Sequence, residues 1–152
     1  MSVKLLEEIV DSSAIVAEIG SEYCYVKELF IALNDYLAVH CFLPEQLAKL
    51  ELCIAEVANN SIRHAYQLQS GQPIWLAAKV EQHRLNIQVI DRGMSLPWWR
   101  LSQQLDWEQV QVENPDSWAV DGRGLQIVRD LMDEVSYDSI EGNNIFTMTM
   151  RR

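Results

Sequence analysis

Residues 52–66 read LCIAEVANNSIRHAY, and the way that stretch folds decides how the rest of the chain is read. Its apolar positions continue a pattern that begins upstream. Leu47, Leu50, Ile54, Val57, Ala58, Ser61 and Ala65 fall on one face at helical spacing. Pro44 suits the first turn, where its missing N–H is not needed. The run QSGQP at residues 69–73 is a breaker, so the spacing predicts a helix from Pro44 to about Gln67. Opposite the apolar stripe, Glu56, Asn60 and Arg63 stand at i, i+4 and i+7. Taken alone, this second stripe reads as a solvated face. Two neighbouring asparagines, Asn59 and Asn60, nevertheless weaken helix propensity in mid-element. A carboxylate beside an amide oxygen also suits chemistry, since the amide oxygen can bind Mg²⁺ while the carboxylate accepts a proton.

Upstream of this helix, residues 3–19 are ambiguous, with Ala14 to Ile19 reading best as a strand. Gly20-Ser21 then opens a helix with Ser21 as its N-cap. The apolar stripe of that helix is Tyr23, Val26, Phe30, Leu33 and Leu37, ending near His40. Downstream, Ile74, Leu76, Ala78 and Val80 alternate, as do Leu85, Ile87 and Val89, predicting a hairpin that turns around Gln82-His83. Residues 92–121 lack strong periodicity and carry Trp98, Trp99, Trp107, Trp118, Pro97 and Pro115, a lid-like pattern. Gly122 and Gly124 open a third helix through Leu125, Val128, Leu131 and Met132. Two last strands, Val135 to Ile140 and Ile145 to Met150, are joined by Glu141-Gly142-Asn143-Asn144. The expected fold is α+β, a two-layer sandwich of a mostly antiparallel sheet with helices on one face.

Two further segments bear on chemistry. Asp91 shares the parity of Leu85, Ile87 and Val89, so its carboxylate starts on a buried face and needs donors there. It reads either as a turn residue of Asp-Arg-Gly or as the acceptor for the exocyclic amino group of a buried adenine. Gly93 would then let the backbone approach the ring. In DGRGL, residues 121–125, glycines at a helix start free N–H groups to face phosphates. This is neither a Walker A loop nor a dinucleotide fingerprint, and no Gly-x-Ser-x-Gly elbow or His-Glu-x-x-His occurs.

Composition sets outer limits. At 152 residues and 17.5 kDa the chain fits one domain spanning 1–152, with 49% hydrophobic and 22% charged residues. A formal net charge of −10 argues against a nucleic-acid backbone or an anionic membrane surface as partner. Cys24, Cys41 and Cys53 show no zinc spacing and read as reduced packing thiols. Acids interrupt the apolar N-terminus MSVKLLEEIV, and no run is long enough to span a membrane, so the expectation is a soluble, cytoplasmic protein.

In this order, the Glu56/Asn60 helix, VIDRG at 89–93 and the glycine segment at 122–125 resemble the N, G1 and G2 boxes of the GHKL ATPases (gyrase, heat-shock chaperone, histidine kinase, MutL). LCIAEVANNSIRHAY and GRGLQIVRDLMDEV (residues 122–135) are more closely similar to the anti-sigma factor serine kinases of bacterial partner-switching systems. The likeness covers residues 13–150. It implies that Glu56 is the general base and Asn60 the Mg²⁺ ligand, that Asp91 holds the adenine amino group and that Gly93 packs on the ring. It also implies that Gly122, Arg123, Gly124 and Leu125 line the phosphates of ATP, with Arg63 and His64 near the nucleotide. The implied substrate is a serine on a STAS-domain anti-sigma antagonist, with a sigma factor as second partner and a homodimer as the assembly. Two departures accompany the likeness. The threonine often found on the family's final hairpin has Asn144 or Ile145 in its neighbourhood, with Thr147 out of register, and Ser95-Leu96-Pro97 follows the G1 box where an aromatic is commoner. The rival expectation is a binding module that uses nucleotide only to set the affinity for a STAS protein or another signalling partner.

Overall fold

A computed structural model describes residues 2–96 and 123–152. Among the described residues, five strands form one sheet: β1 Ile15–Gly20, β2 Pro73–Val80, β3 Arg84–Asp91, β4 Glu134–Ile140 and β5 Asn143–Arg151. Their order is β1-β2-β3-β5-β4, and every neighbouring pair is antiparallel. The helices are α1 Ser2–Ser12, α2 Val26–Leu37, α3 Pro44–Asn60 and α4 Arg123–Leu131. The α+β class expected from the sequence is the one observed.

One face of the sheet is built from Ile74, Leu76 and Ala78 of β2, Leu85, Ile87 and Val89 of β3, and Phe146, Met148 and Met150 of β5. Against it pack Leu29, Leu33 and Leu37 of α2, Leu50, Cys53, Ile54 and Val57 of α3, and Leu125 and Val128 of α4. The opposite face carries Trp75, Ala77, Ile90 and Ile145, and Ile9 of α1 closes over them. Thus the helices legible from apolar spacing share one face, and α1, in the stretch that read ambiguously, covers part of the other. This double cover explains why Ile74 to Ala78 are buried without alternation.

Several local expectations change. Ser21 is no N-cap: its hydroxyl donates to Gln69 O at 2.6 Å and accepts from Gln72 N at 3.0 Å, tying the β1 end to the loop before β2. The chain enters α2 through a 3₁₀ turn at Tyr23–Tyr25, so Tyr23 stays half exposed and Leu29 takes the core position. The long α3 begins as expected at Pro44, with the Gln46 side chain accepting from Leu43 N at 2.8 Å. It stops as an α-helix at Asn60 and continues as one π turn over Ser61–Ala65, where Tyr66 N donates to Ser61 O at 2.9 Å. Beyond it, Leu68 N donates back to Ile62 O at 2.8 Å around Gln67 at φ 51°, a Schellman-like stop. The last hairpin turns on two residues only, Glu141 (φ 51°) and Gly142 (φ 80°), the pattern of a type I′ turn. Asn143 and Asn144 therefore belong to β5 and not to the turn. Gly122 and residues 97–121 of the expected lid lie outside the described residues, whereas residues 92–96 are held by hydrogen bonds described next.

Candidate functional site

Asp91 is the last residue of β3, and β2, β3 and β5 register it between Ile74 and Asn144. It keeps the inward parity of Val89 and is 7% exposed. Among the described residues, three donors answer the carboxylate. Ser61 Oγ reaches Oδ2 at 2.7 Å, while Gly93 N at 3.0 Å and Asn144 Nδ2 at 2.7 Å reach Oδ1. Burial raises its pKa above the ordinary 3.8, and the hydrogen bonds from Asn144, Ser61 and Gly93 oppose the rise.

The segment after β3 is pinned at each step. Arg92 N donates to Tyr66 Oη at 2.7 Å, and that hydroxyl donates to Pro73 O at 2.6 Å. Met94 N donates to Ala65 O at 2.9 Å, and Leu96 N to Tyr137 Oη at 2.7 Å. Burial pushes the Tyr66 phenol up to about 12, first among several influences, and raises Tyr137 as well, so both stay protonated and able to serve these roles. Gly93 lies so close to the π turn that a Cβ there would run into the Ala65 carbonyl. Glycine is required by that approach of two backbones.

Between the π turn, this segment, β4–β5 and α4 lies a cleft of about 220 Å³. Val57, Ala65, Val89, Met94, Leu96, Leu125 and Phe146 supply apolar wall, and Asn60, Ser61, His64, Asp91, Ser95, Tyr137 and Asn144 the polar groups. Tyr137 meets Phe146 edge-on at 6.5 Å. The π turn is what brings Ser61, His64 and Ala65 onto this wall together with Asn60, and such single π turns recur at functional sites. Asn60 Nδ2 donates to Glu56 O at 3.1 Å, which leaves its Oδ1 as the end able to meet a ligand. Glu56, one turn earlier and half-buried, lies against the start of α4: a Cβ on Gly124 would overlap its Oε2 and stand 3.1 Å from its Cδ.

The structure thus gathers Asn60, His64, Asp91 and Leu125 in one cleft, with Gly93 behind it and Glu56 beside Gly124. Arg63 is exposed and not among the lining residues. Arg123 is the first residue of α4, and Gly122 lies outside the described residues. Sequence reading placed Ser61 in the apolar stripe, yet its hydroxyl serves Asp91. Of the candidates near the final hairpin it is Asn144 that faces the cleft, since Ile145 joins the opposite core and Thr147 shares that parity. Tyr137 and Phe146 were legible only as alternating strand residues. Cys53, beneath Glu56, has its thiol pushed up to about 11 by burial and then by the Glu56 charge, which fits a packing role. Among the described residues, no helix is long and apolar enough to cross a membrane.

Known proteins resemble this chain. The serine-protein kinase RsbW of Bacillus pumilus (strain SAFR-032) is 26% identical over 130 residues, covering 84% of this chain and 78% of that protein. RsbW of Bacillus subtilis (strain 168) is 24% identical over 118 residues, 78% and 73% of the two chains. Among solved structures, the SiaB-SiaC complex from Pseudomonas aeruginosa matches with a TM-score of 0.60 and 16% identity, over 99% of this chain and 97% of that one. The RsbU and RsbW domains of Rv1364c from Mycobacterium tuberculosis match with a TM-score of 0.60 and 19% identity, over 91% of this chain and 32% of that longer one. These structural likenesses concern the fold. With residues 21–150 matched, a span from the turn before α2 almost to the end of β5, the chain belongs to the histidine kinase-like ATPase domain family.

Proposed function

We propose that this protein is an ATP-dependent serine kinase of a partner-switching circuit, which phosphorylates a STAS-domain anti-sigma antagonist and through it restrains a sigma factor. The observation that carries the reading is a buried carboxylate, Asp91, held by three hydrogen bonds in a cleft that Asn60 and Leu125 line, with Glu56 beside Gly124 at the start of α4. Apolar walls with one buried acceptor fit an aminopurine ring. Mg²⁺ commonly takes only one or two protein oxygens and completes its shell with phosphates and water. Asn60 Oδ1 fits that demand, and bound Mg·ATP would supply the phosphoryl group there.

The chain's own residues then divide the work. Asp91 accepts from the exocyclic amine and orients the base, and the first turn of α4, with Gly124, offers N–H groups to phosphate oxygens. These backbone donors matter in a chain of net charge −10, which has few cations to spare. Glu56 takes the proton from the attacking serine hydroxyl. The serine-protein kinase relatives support a protein substrate in place of a free metabolite.

The test is incubation with labelled ATP and a STAS-domain protein that the kinase binds. Glu56→Gln keeps shape and hydrogen bonding, so nucleotide binding is expected to survive while phosphotransfer falls by roughly 10²-fold or more, the usual contribution of a general base. Asn60→Ala is expected to impair both. Undiminished transfer in Glu56→Gln would contradict the base assignment. Absence of transfer from the wild type to a partner it binds would leave a nucleotide-dependent binding module.

A further inference from the structure

We propose that Asn144 sets the purine selectivity of the cleft by leaving Asp91 a single acceptor position for the base, an inference that rests on reading the cleft as a nucleotide site. A carboxylate offers about four lone-pair positions, two on each oxygen. On Oδ1 both are taken, by Gly93 N at 3.0 Å and Asn144 Nδ2 at 2.7 Å. On Oδ2 one is taken, by Ser61 Oγ at 2.7 Å. Among the described residues one position remains, and it lies on Oδ2. Adenine presents one exocyclic amino group beside a ring nitrogen that is an acceptor, so a single position satisfies it. Guanine presents a ring N–H and an amino N–H side by side, the pair that a carboxylate answers with both oxygens at once. With Oδ1 committed, that two-point contact is closed to guanine.

The Asn144 amide is not free to step aside. One Nδ2 hydrogen goes to Asp91 and the other is shared between Gly93 O at 2.9 Å and Met94 O at 3.2 Å, while its Oδ1 accepts from Ser139 Oγ at 2.9 Å. Acceptors surround one end of the amide and a donor meets the other, so the group has one orientation. Asn144 is 3% exposed and sits directly opposite Asp91 in the β3–β5 ladder, so rotating it away takes a donor from the buried Asp91 carboxylate and from the partly buried Gly93 and Met94 carbonyl contacts. Ser139, on the neighbouring strand, is a positioning residue for the amide.

The experiment measures dissociation constants for ADP and GDP in wild type, Asn144→Ala, Asn144→Val and Ser139→Ala, with melting temperatures to confirm folding. The wild type is expected to prefer ADP. In Asn144→Ala the preference is expected to fall by roughly tenfold, the worth of about one hydrogen bond regained by guanine. Ser139→Ala is expected to fall less. Valine is a good strand former and carries no donor for Asp91. Asn144→Val therefore carries the test if the alanine variant does not fold, with the same loss of preference expected. A merely structural role would weaken both nucleotides alike, and an unchanged ADP-to-GDP ratio in a folded variant would overturn the proposal. Failure of the wild type to bind ADP at all would instead overturn the reading of the cleft.

Discussion

At Asp91, burial and hydrogen bonding pull in opposite directions. Loss of water disfavours the charged form, while Asn144, Ser61 and Gly93 favour it, and burial is the larger effect. A carboxyl whose folded pKa lies above its unfolded one binds a proton on folding. Its contribution to stability is therefore fully present below 3.8 and is lost as pH rises through the folded value. Base binding runs the other way, because it needs the ionised acceptor. ADP affinity is expected to decline on acidification at a higher pH than an ordinary aspartate would dictate. Calorimetric titration across the acid range, compared with Asp91→Asn, checks this. In that variant an amide N–H₂ must face donors, so a stability loss of about 1–3 kcal/mol is expected, together with a loss of affinity large enough to remove the pH response. A variant that binds ADP like the wild type would make Asp91 a turn residue only.

Among the elements, the junctions between helices and strands matter more than the elements themselves. Two glycines show how differently close packing can be used. Gly93 abuts the Ala65 backbone, which cannot yield, whereas Gly124 abuts the tip of the Glu56 side chain, which can. Gly93→Ala is therefore expected to lower the melting temperature and weaken nucleotide binding together, by displacing the segment that Met94 N and Leu96 N hold in place. Gly124→Ala is expected to leave the melting temperature and ATP affinity near wild type while turning Glu56 away from its place. Phosphotransfer should then fall by roughly 10- to 100-fold, since small misplacements of a catalytic group are costly. Equal transfer rates in Gly124→Ala and wild type would separate Glu56 from the chemistry.

For the whole molecule, the sheet is an insulated layer with a nucleotide cleft proposed on one side and a small second core on the other. Ile9 of α1 is buried on Trp75, Ala77, Ile90 and Ile145, and none of these lines the cleft. Ile9→Ala is expected to cost about 2 kcal/mol in denaturant unfolding, at the low end for such truncations because the site lies in a terminal helix. The dissociation constant for ADP is expected to stay at the wild-type value. A shift in that constant would mean that α1 acts on the cleft through the sheet.

Much of this was legible in the chain because it is local. Helical spacing from Leu47 to Val57, alternation in the β2–β3 hairpin, the glycines and the inward parity of Asp91 all depend on neighbours a few residues away, and they carried both the α+β class and the family. The order of Glu56, Asn60, Asp91 and Gly124 is likewise a property of sequence alone. What only the tertiary structure decided involves partners far apart in the chain. Ser61 reads as one more small residue on an apolar stripe until the π turn brings it to Asp91, thirty residues on. Ser21 has the chemistry of an N-cap, yet two loop groups about fifty residues away claim its hydroxyl. Asn144 reads as a turn residue until the two-residue turn at Glu141-Gly142 places it in β5, against a carboxylate 53 positions earlier. A short polar side chain has several hydrogen-bonding outcomes of similar free energy. Periodicity cannot choose among them, and the choice falls to whichever donor or acceptor the fold buries beside it.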